Sequence, residues 1–456
     1  MIMEDFTKGN IAKQMVIFAL PMLIGSLFQQ LYGIVDAIVV GRFLGGHALG
    51  AVGVSIAAFG FLTAILIGLT TGASVVISQF YGAKQHDNLA LAVSTSIIFL
   101  AAFSLVITVL GVVFTPTLLR MLNTPDDIFR EAQIYMRIQM GGLVFPIFFN
   151  MYTAYLRALG NSRSPLYILM FATTLNAVLN ILFVVVLGLG IAAVSAGTVI
   201  AQAVAALLCY VYTRRNVTLL QVKKLIFDKV LFGSILKYGA PAALQLSFVS
   251  LASLVITRLI NSFGAAAIAG ITAAARIDQM AILPISTLSL ALSTFVAQNM
   301  GAGFEDRAKK GLQTALIFMV LMSAVISVIL VFAGPWTIYM FIDQADPNVL
   351  EILRTGQDYL SIIVIFYFLF AFLFGFNGFF RGAGDAVIAM IFPIASLTIR
   401  TTSAYALVYL AGMGPEALAW SIPIGWGLTS VASWVYYRKR LWAGKIIIKP
   451  AQMEAA

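Results

Sequence analysis

One acid set in a long apolar stretch is the residue best placed to do chemistry in this sequence. Asp36 lies near the end of Ile11 to Arg42, IAKQMVIFALPMLIGSLFQQLYGIVDAIVVGR, which is otherwise almost wholly apolar. A carboxylate at membrane depth is costly unless it is protonated, paired or turned toward a polar cavity. Such a group can take up and release a proton or a cation. The same carboxylate at a helix end could instead sit in the interface and be cheaply solvated, and the stretch alone leaves both readings open. Gln29 and Gln30 precede Asp36 by one to two turns. Pro21 falls in the first half of the stretch, where a proline removes a backbone hydrogen bond and bends the axis. A kinked helix with one buried acid suggests an ion site beside a movable joint.

Other polar residues recur in the apolar stretches of the first half: Tyr135, Asn150, the pair Asn176 and Asn180, and the pair Thr198 and Gln202. The members of each pair are four residues apart and share one helical face. Amides and hydroxyls can coordinate a cation or bond a carboxylate, yet taken singly they also simply tie helices together. The second half has no acid where the first half has Asp36, only Gln245 among serines. It carries Arg276 and Asp278 two residues apart, and Arg400 further on. Residues two apart do not face each other on a helix, so Arg276 and Asp278 are expected to find cross-helix partners, in a structural or a functional role. Several classes of chemistry are missing. The only cysteine, Cys209, excludes a disulfide framework. His47 and His86 have no metal-ligand partners at useful spacing. There is no phosphate loop, no HExxH, no Gly-x-Ser-x-Gly and no CxxC. Neither an enzyme, nor a resident metal or cofactor, nor an ATP-driven pump is expected.

The elements that must hold these residues are membrane helices. Hydrophobic residues make up 61% of the 456 and charged ones only 10%, against about 25% charged in a soluble domain. The net charge of +10 does not point to nucleic acid, because the basic residues fall in short clusters between apolar runs. Hydropathy predicts about twelve spans, near 11–40, 48–78, 90–114, 131–156, 165–187, 191–213, 232–260, 265–298, 311–333, 355–380, 387–410 and 416–437. The N-terminus does not read as a cleavable signal. Lys and Arg cluster in one set of loops, which by the positive-inside rule places both termini in the cytoplasm of a cell-membrane protein. The polar stretch from Thr213 to Lys229 divides the chain into an N-terminal lobe (1–213), a connector (214–230), a C-terminal lobe (231–440) and a tail (441–456).

The halves repeat each other. Gly45 with HALGAVGV matches Gly264 with AAAIAGIT, SQFYGAKQHD (78–87) matches AQNMGAGFED (297–306), LRALGN (156–161) matches FRGAGD (380–385), and CYVYTRR (209–215) matches SWVYYRK (433–439). Pro241 lies within one residue of the position matching Pro21. Each half has an even number of spans, so the copies share one orientation. Their pseudo-two-fold axis is expected along the membrane normal, as in parallel-repeat transporters. The fold class is therefore an all-α membrane protein of two six-helix lobes. The repeated GA elements read as tight turns. The aromatic run IFYFLFAFLFGFNGFF (365–380) could stack flat cations, but packing or lipid contact accounts for most of its rings.

This ordered set of motifs, VDAIVVGRFLG (35–45) after a proline-bearing first helix, QFYGA with its copy QNMGA, LRALGN with FRGAGD, and AARIDQMAILP (274–284), resembles the multidrug and toxic compound extrusion (MATE) family over nearly the whole chain. Within the family it is most similar to bacterial drug-efflux and DinF-like members. The resemblance implies a secondary antiporter that exports organic cations for protons or sodium, needs no other cofactor and works as a monomer in the bilayer. It further implies a coupling site at Asp36, Asn176, Asn180, Thr198 and Asn150, and a hinge at Pro21. Gln29, Gln30, Tyr135, Gln202, Gln245, Arg276 and Asp278 are the candidates for the substrate cleft. One departure is plain: where relatives commonly have Asn-x-x-x-Asp, this chain has NAVLN, with Asn180 in the acid's place. Acids that some members carry in spans 7 and 10 are also missing, which leaves Asp36 as the principal titratable group. A flippase for lipids or lipid-linked oligosaccharides is the competing expectation. It would call for several cations lining its cleft, and only Arg276 and Arg400 lie deep in span interiors.

Overall fold

Most of these helices are apolar around their whole circumference, the pattern of a helix bedded in lipid and in other helices. The computed structural model describes residues 4–222, 224–342 and 347–446. Lys223 of the connector and residues 447–456 of the tail lie outside the described residues. The described residues form fifteen α-helices and no strand. The first half contains α1 (Ile11–Phe43), α2 (Gly45–Gly82), α3 (His86–Met121), α4 (Asp126–Gly141), α5 (Val144–Ala158), α6 (Arg163–Asn180) and α7 (Ile191–Asn216). The second half contains α8 (Lys229–Asn261), α9 (Ala265–Ala281), α10 (Leu283–Gly301), α11 (Glu305–Tyr339), α12 (Val349–Ile365), α13 (Tyr367–Gly382), α14 (Ala386–Tyr409) and α15 (Glu416–Arg438).

Three pairs, α4 with α5, α9 with α10, and α12 with α13, are interrupted by only one or two residues and make three broken spans. With the nine unbroken helices they complete twelve spans in two sets of six. The α12–α13 break bends the axis by 54°. On length and apolarity alone, nine spans qualify, or ten with that bent pair. The α4–α5 span and α15 are the two that fall short of that apolarity, and α4 carries Asp126, Asp127, Arg130, Glu131 and Arg137.

Packing divides the described chain into two compact units: residues 4–8 with 16–243, and residues 9–15 with 244–446. In the first, Val40, Ala51, Met136, Met140 and Val194 centre the core around α1, α2, α4 and α7. Bare glycine faces let α2 approach the start of α8: a Cβ at Gly72 would lie 2.3 Å from the Gly239 nitrogen, and one at Gly68 2.2 Å from that of Ala243. In the second unit, Ile271, Ala274, Ile363, Tyr367 and Ile422 form the corresponding core. Most rings of the aromatic run pack inward. Phe379, for instance, meets Trp442 edge-on at 4.8 Å, and Trp442 is buried.

The repeat is visible in backbone geometry. Gly45 and Gly264 both take φ of 89° between the first and second spans of their halves, a left-handed conformation that glycine adopts without a Cβ penalty. The GA elements close α2 and α10 with the same bond: Ala83 N–H donates to the Gln79 carbonyl at 2.9 Å, and Ala302 N–H to that of Gln298 at 3.0 Å.

Candidate cation site

Asp36 is buried, at 7% exposure, although α1 continues for seven residues beyond it. It faces α6 and α7 within the first unit. The four-residue spacing on α6 puts Asn176 and Asn180 on one face, and both are fully buried. Asn180 Nδ2 donates to Asp36 Oδ1 at 2.5 Å, and Thr198 Oγ1, from α7, donates to Asp36 Oδ2 at 3.3 Å. A second layer orients these donors. Asn176 Nδ2 donates to Thr198 Oγ1 at 3.2 Å, and Asn180 Nδ2 also reaches Asn176 Oδ1 at 3.4 Å. Tyr32 OH donates to the Thr198 carbonyl at 3.3 Å.

The backbone around Asn180 is adapted to hold it there. Beyond Asn180, the helix widens into a π-helical turn at Ile181–Val186, a feature often found at functional sites. From α7, Gly197 presents no side chain to Asn180; a Cβ there would lie 2.8 Å from Asn180 Oδ1. That amide oxygen is buried without a hydrogen-bond partner, and so is Gln202 Oε1. A cavity of about 240 Å³ opens beside the carboxylate, lined by Gln29, Tyr32, Asp36, Tyr135, Thr198 and Gln202 among others. Tyr135 is anchored by Ser195 Oγ, which donates to its carbonyl at 2.9 Å, while Gln139 Nε2 donates to its hydroxyl at 3.3 Å.

The site is therefore one carboxylate held by neutral donors, with spare oxygen acceptors close by. No Lys, Arg or His pairs with Asp36 among the ion pairs of the described residues. A carboxylate, a hydroxyl and amide oxygens are the hard donors that suit a proton or a small cation. Among the described residues, no three His, Cys, Asp or Glu side chains cluster as a metal site would require.

The other candidates are distributed more widely. Tyr135, Gln29 and Gln202 share the cavity with Asp36. Asn150 does not join them: its amide donates to the Pro146 carbonyl at 2.8 Å within α5, and it borders a separate small cavity with Thr63 and Thr70. Gln30 is part-buried on α1, outside the lining of the Asp36 cavity. Pro21 is buried in the unbroken run of α1. In the second unit, Gln245 is buried on α8. Arg276 is exposed beside a cavity of about 400 Å³, whereas Asp278, two residues on, accepts a hydrogen bond from Tyr367 OH at 2.8 Å. Tyr32 and Gly197 belong to the site but do not stand out in the sequence as polar outliers. Tyr32 lies four residues before Asp36 and so shares its helical face, a signal the spacing contains.

Comparison with known proteins agrees with this architecture. The MatE family model matches residues 21–182 and 241–406, one stretch in each half. The chain is 30% identical over 440 residues to the "Probable multidrug resistance protein YpnP" of Bacillus subtilis (strain 168), covering 96% of this chain and 97% of that protein. It is 26% identical to the "Multidrug export protein MepA" of Staphylococcus haemolyticus (strain JCSC1435), over 92% of this chain and 91% of that one. Among solved structures, an outward-facing "multidrug resistance MATE family transporter of the MOP superfamily" superposes with a TM-score of 0.89 at 21% identity, covering 99% of this chain and 98% of that chain.

Proposed function

Because the chain belongs to the MatE family of multidrug efflux transporters, we propose that it is a secondary antiporter exporting organic cations in exchange for protons or sodium. The observation that carries this reading is the state of Asp36: a buried carboxylate gripped by Asn180 and Thr198, with no fixed positive partner among the described residues. Burying an uncompensated charge is strongly unfavourable. The site is thus most stable when a proton, a sodium ion or a cationic substrate is present. Substrate and coupling ion then compete for one negative charge, which is the minimum requirement for exchange.

In this mechanism Asn180 and Thr198 orient the carboxylate, Asn176 fixes Thr198, and Tyr32 ties α1 to α7. Arrival of the coupling ion neutralises Asp36 and removes the reason for these donors to converge on it. Relaxation of that network allows α1 to bend at Pro21 and the substrate to leave. The ion drives the change only through its different affinity for the two arrangements. The cleft residues beyond the cavity, the monomeric state and the cytoplasmic placement of both termini are part of the same proposal.

The test is transport of an ethidium-type dye by the full chain in vesicles, with pH and sodium gradients imposed separately. Dye movement against its own gradient under at least one of them is the expected result. Flipping of a lipid-linked oligosaccharide, with no dye movement under either gradient, would establish the competing reading instead.

A further inference from the structure

The residues that follow α7 fold back against the first unit. Ile226 N–H donates to Ser94 Oγ, on α3, at 2.6 Å, and the same hydroxyl donates to the Ile226 carbonyl at 2.8 Å. Asp228 N–H donates to Thr95 Oγ1 at 3.0 Å, and Gln221 Nε2 to the Arg214 carbonyl at 2.6 Å. Held in this way, the segment walls a cavity of about 590 Å³, lined by Tyr152 of α5, Tyr210, Thr213 and Arg214 of α7, and Gln221 and Leu225 of the connector, among others. None of these residues borders the Asp36 cavity.

The cavity is rich in donors, and no acid lines it among the described residues. Arg214 Nη1 donates to Tyr210 OH at 3.1 Å. A guanidinium has five N–H groups, and no ion pair among the described residues takes this one. The rings of Tyr152 and Tyr210 meet at 5.9 Å, which sets α5 against α7 here. Thr213 is 2% exposed, and its Oγ1 is buried without a hydrogen-bond partner. On α5, Thr153 Oγ1 and Arg157 Nε are also buried without partners. Buried donors left unpaired are costly, and an anion with several oxygens is the ligand that answers them.

The second unit shows the same place filled. The register of CYVYTRR on SWVYYRK takes Thr213 onto Tyr437, and that of LRALGN on FRGAGD takes Tyr152 onto Phe376, Thr153 onto Asn377 and Arg157 onto Arg381. There Arg381 Nη2 donates to Asn377 Oδ1 at 2.7 Å. The Tyr437 ring lies 5.6 Å from Phe376 and 5.2 Å from Phe379, and stacks on the buried Trp442 at 5.9 Å. Rings occupy the second copy and an amide satisfies its arginine. The first copy has threonine in place of both Tyr437 and Asn377, and it has the cavity.

We propose that this cavity binds the phosphate headgroup of an anionic phospholipid, held by Arg214 and the Tyr210 hydroxyl with Thr213 as a further donor. Arginine suits the planar, paired recognition of phosphate oxygens, and basic pockets at the ends of membrane helices take anionic headgroups. A soluble organic phosphate would bring the same group. The lipid is favoured by Leu225, Ile226 and Phe227, three exposed apolar residues in a row between Lys224 and Lys229, the composition of a segment lying in the membrane interface. Asp228, the acid of this segment, is engaged elsewhere: its Oδ1 accepts from Leu231 N–H at 2.8 Å, at the start of α8.

The experiment measures lipid binding to the purified full-length protein by native mass spectrometry, with phosphatidylglycerol and phosphatidylcholine titrated separately. No gradient is imposed, so the result does not depend on Asp36. A single phosphatidylglycerol should bind roughly tenfold more tightly than phosphatidylcholine, and Arg214→Gln should remove that preference. Thr213→Tyr, which installs the residue of the second half, should fill the cavity and abolish the binding. Arg215→Gln, next in sequence but outside the cavity lining, should leave it unchanged. Equal affinity for the two lipids overturns the proposal, as does an Arg215→Gln loss equal to that of Arg214→Gln, which would reduce the effect to general surface charge. Displacement of the lipid by an equal concentration of glycerol phosphate also overturns it, in favour of a soluble ligand. Arg214 is exposed, so Arg214→Gln decides even if Thr213→Tyr does not fold.

Discussion

At the scale of single residues, the account turns on how neutral side chains dispose themselves around one carboxylate. Asp36, Asn176, Asn180 and Thr198 were legible in the sequence because polar residues inside apolar spans are conspicuous and a spacing of four places two on one face. Asn150 has the right type, but its amide is spent on its own helix, at the Pro146 carbonyl. No pattern of residue types reveals such local satisfaction. Gly197 escaped notice for the opposite reason, since its contribution is the absence of a side chain. Gly197→Ala should push against Asn180 Oδ1, which would lie 2.8 Å from the new methyl group, and so disturb the 2.5 Å bond to Asp36. The expected result is a loss of export of roughly tenfold, the cost of about 1.4 kcal/mol in the rate-limiting step, in a protein that is still folded by circular dichroism. Wild-type export from this variant would show that the Asn180–Asp36 geometry does not govern transport.

At the scale of elements, hydropathy located the twelve spans because lipid demands apolar residues on all sides of a helix. It missed the breaks within three of them. The interruptions at 142–143, 282 and 366 have apolar residues on both sides, so nothing in the hydropathy marks them. Close helix approach was equally hidden. Gly72→Ala places a methyl group 2.3 Å from the Gly239 nitrogen, with only backbone to give way. Overpacking of this kind typically costs about 1–3 kcal/mol, and thermal unfolding in detergent should show a lowered midpoint; an unchanged midpoint would mean that α2 and α8 separate at no cost. Pro21 presents a different case. The α1 helix runs through it unbroken, although the ring removes one backbone hydrogen bond there. Pro21→Ala restores that bond, so the variant should unfold at a temperature no lower than the wild type while exporting dye more slowly. Equal export rates would reduce the proline to a packing residue.

At the scale of the whole molecule, the repeat conserves framework while letting chemistry diverge. Left-handed glycines and helix-closing turns recur at matching positions, but in the register that carries LRALGN onto FRGAGD the place of Asn176 is taken by Arg400. The repeat could be read from turn motifs because turns constrain residue type tightly. The convergence of Asn180 and Thr198 on Asp36 could be read only once cross-helix partners were in place. For antiport, access to Asp36 must alternate between the two sides of the membrane. Spin labels at 84–88, around the start of α3, and at 305–309, in the first turn of α11, should therefore change their separation when substrate is added or pH is altered, as measured by pulsed electron resonance; a single fixed separation under all conditions would exclude movement of these segments from the cycle. The most direct measurement concerns Asp36 itself. Asp36→Asn keeps the size of the side chain and removes the charge for which ion and substrate compete. In inverted vesicles under whichever imposed gradient drives the wild type, this variant should show no gradient-driven dye transport while remaining folded. Transport at the wild-type rate from Asp36→Asn would contradict the account.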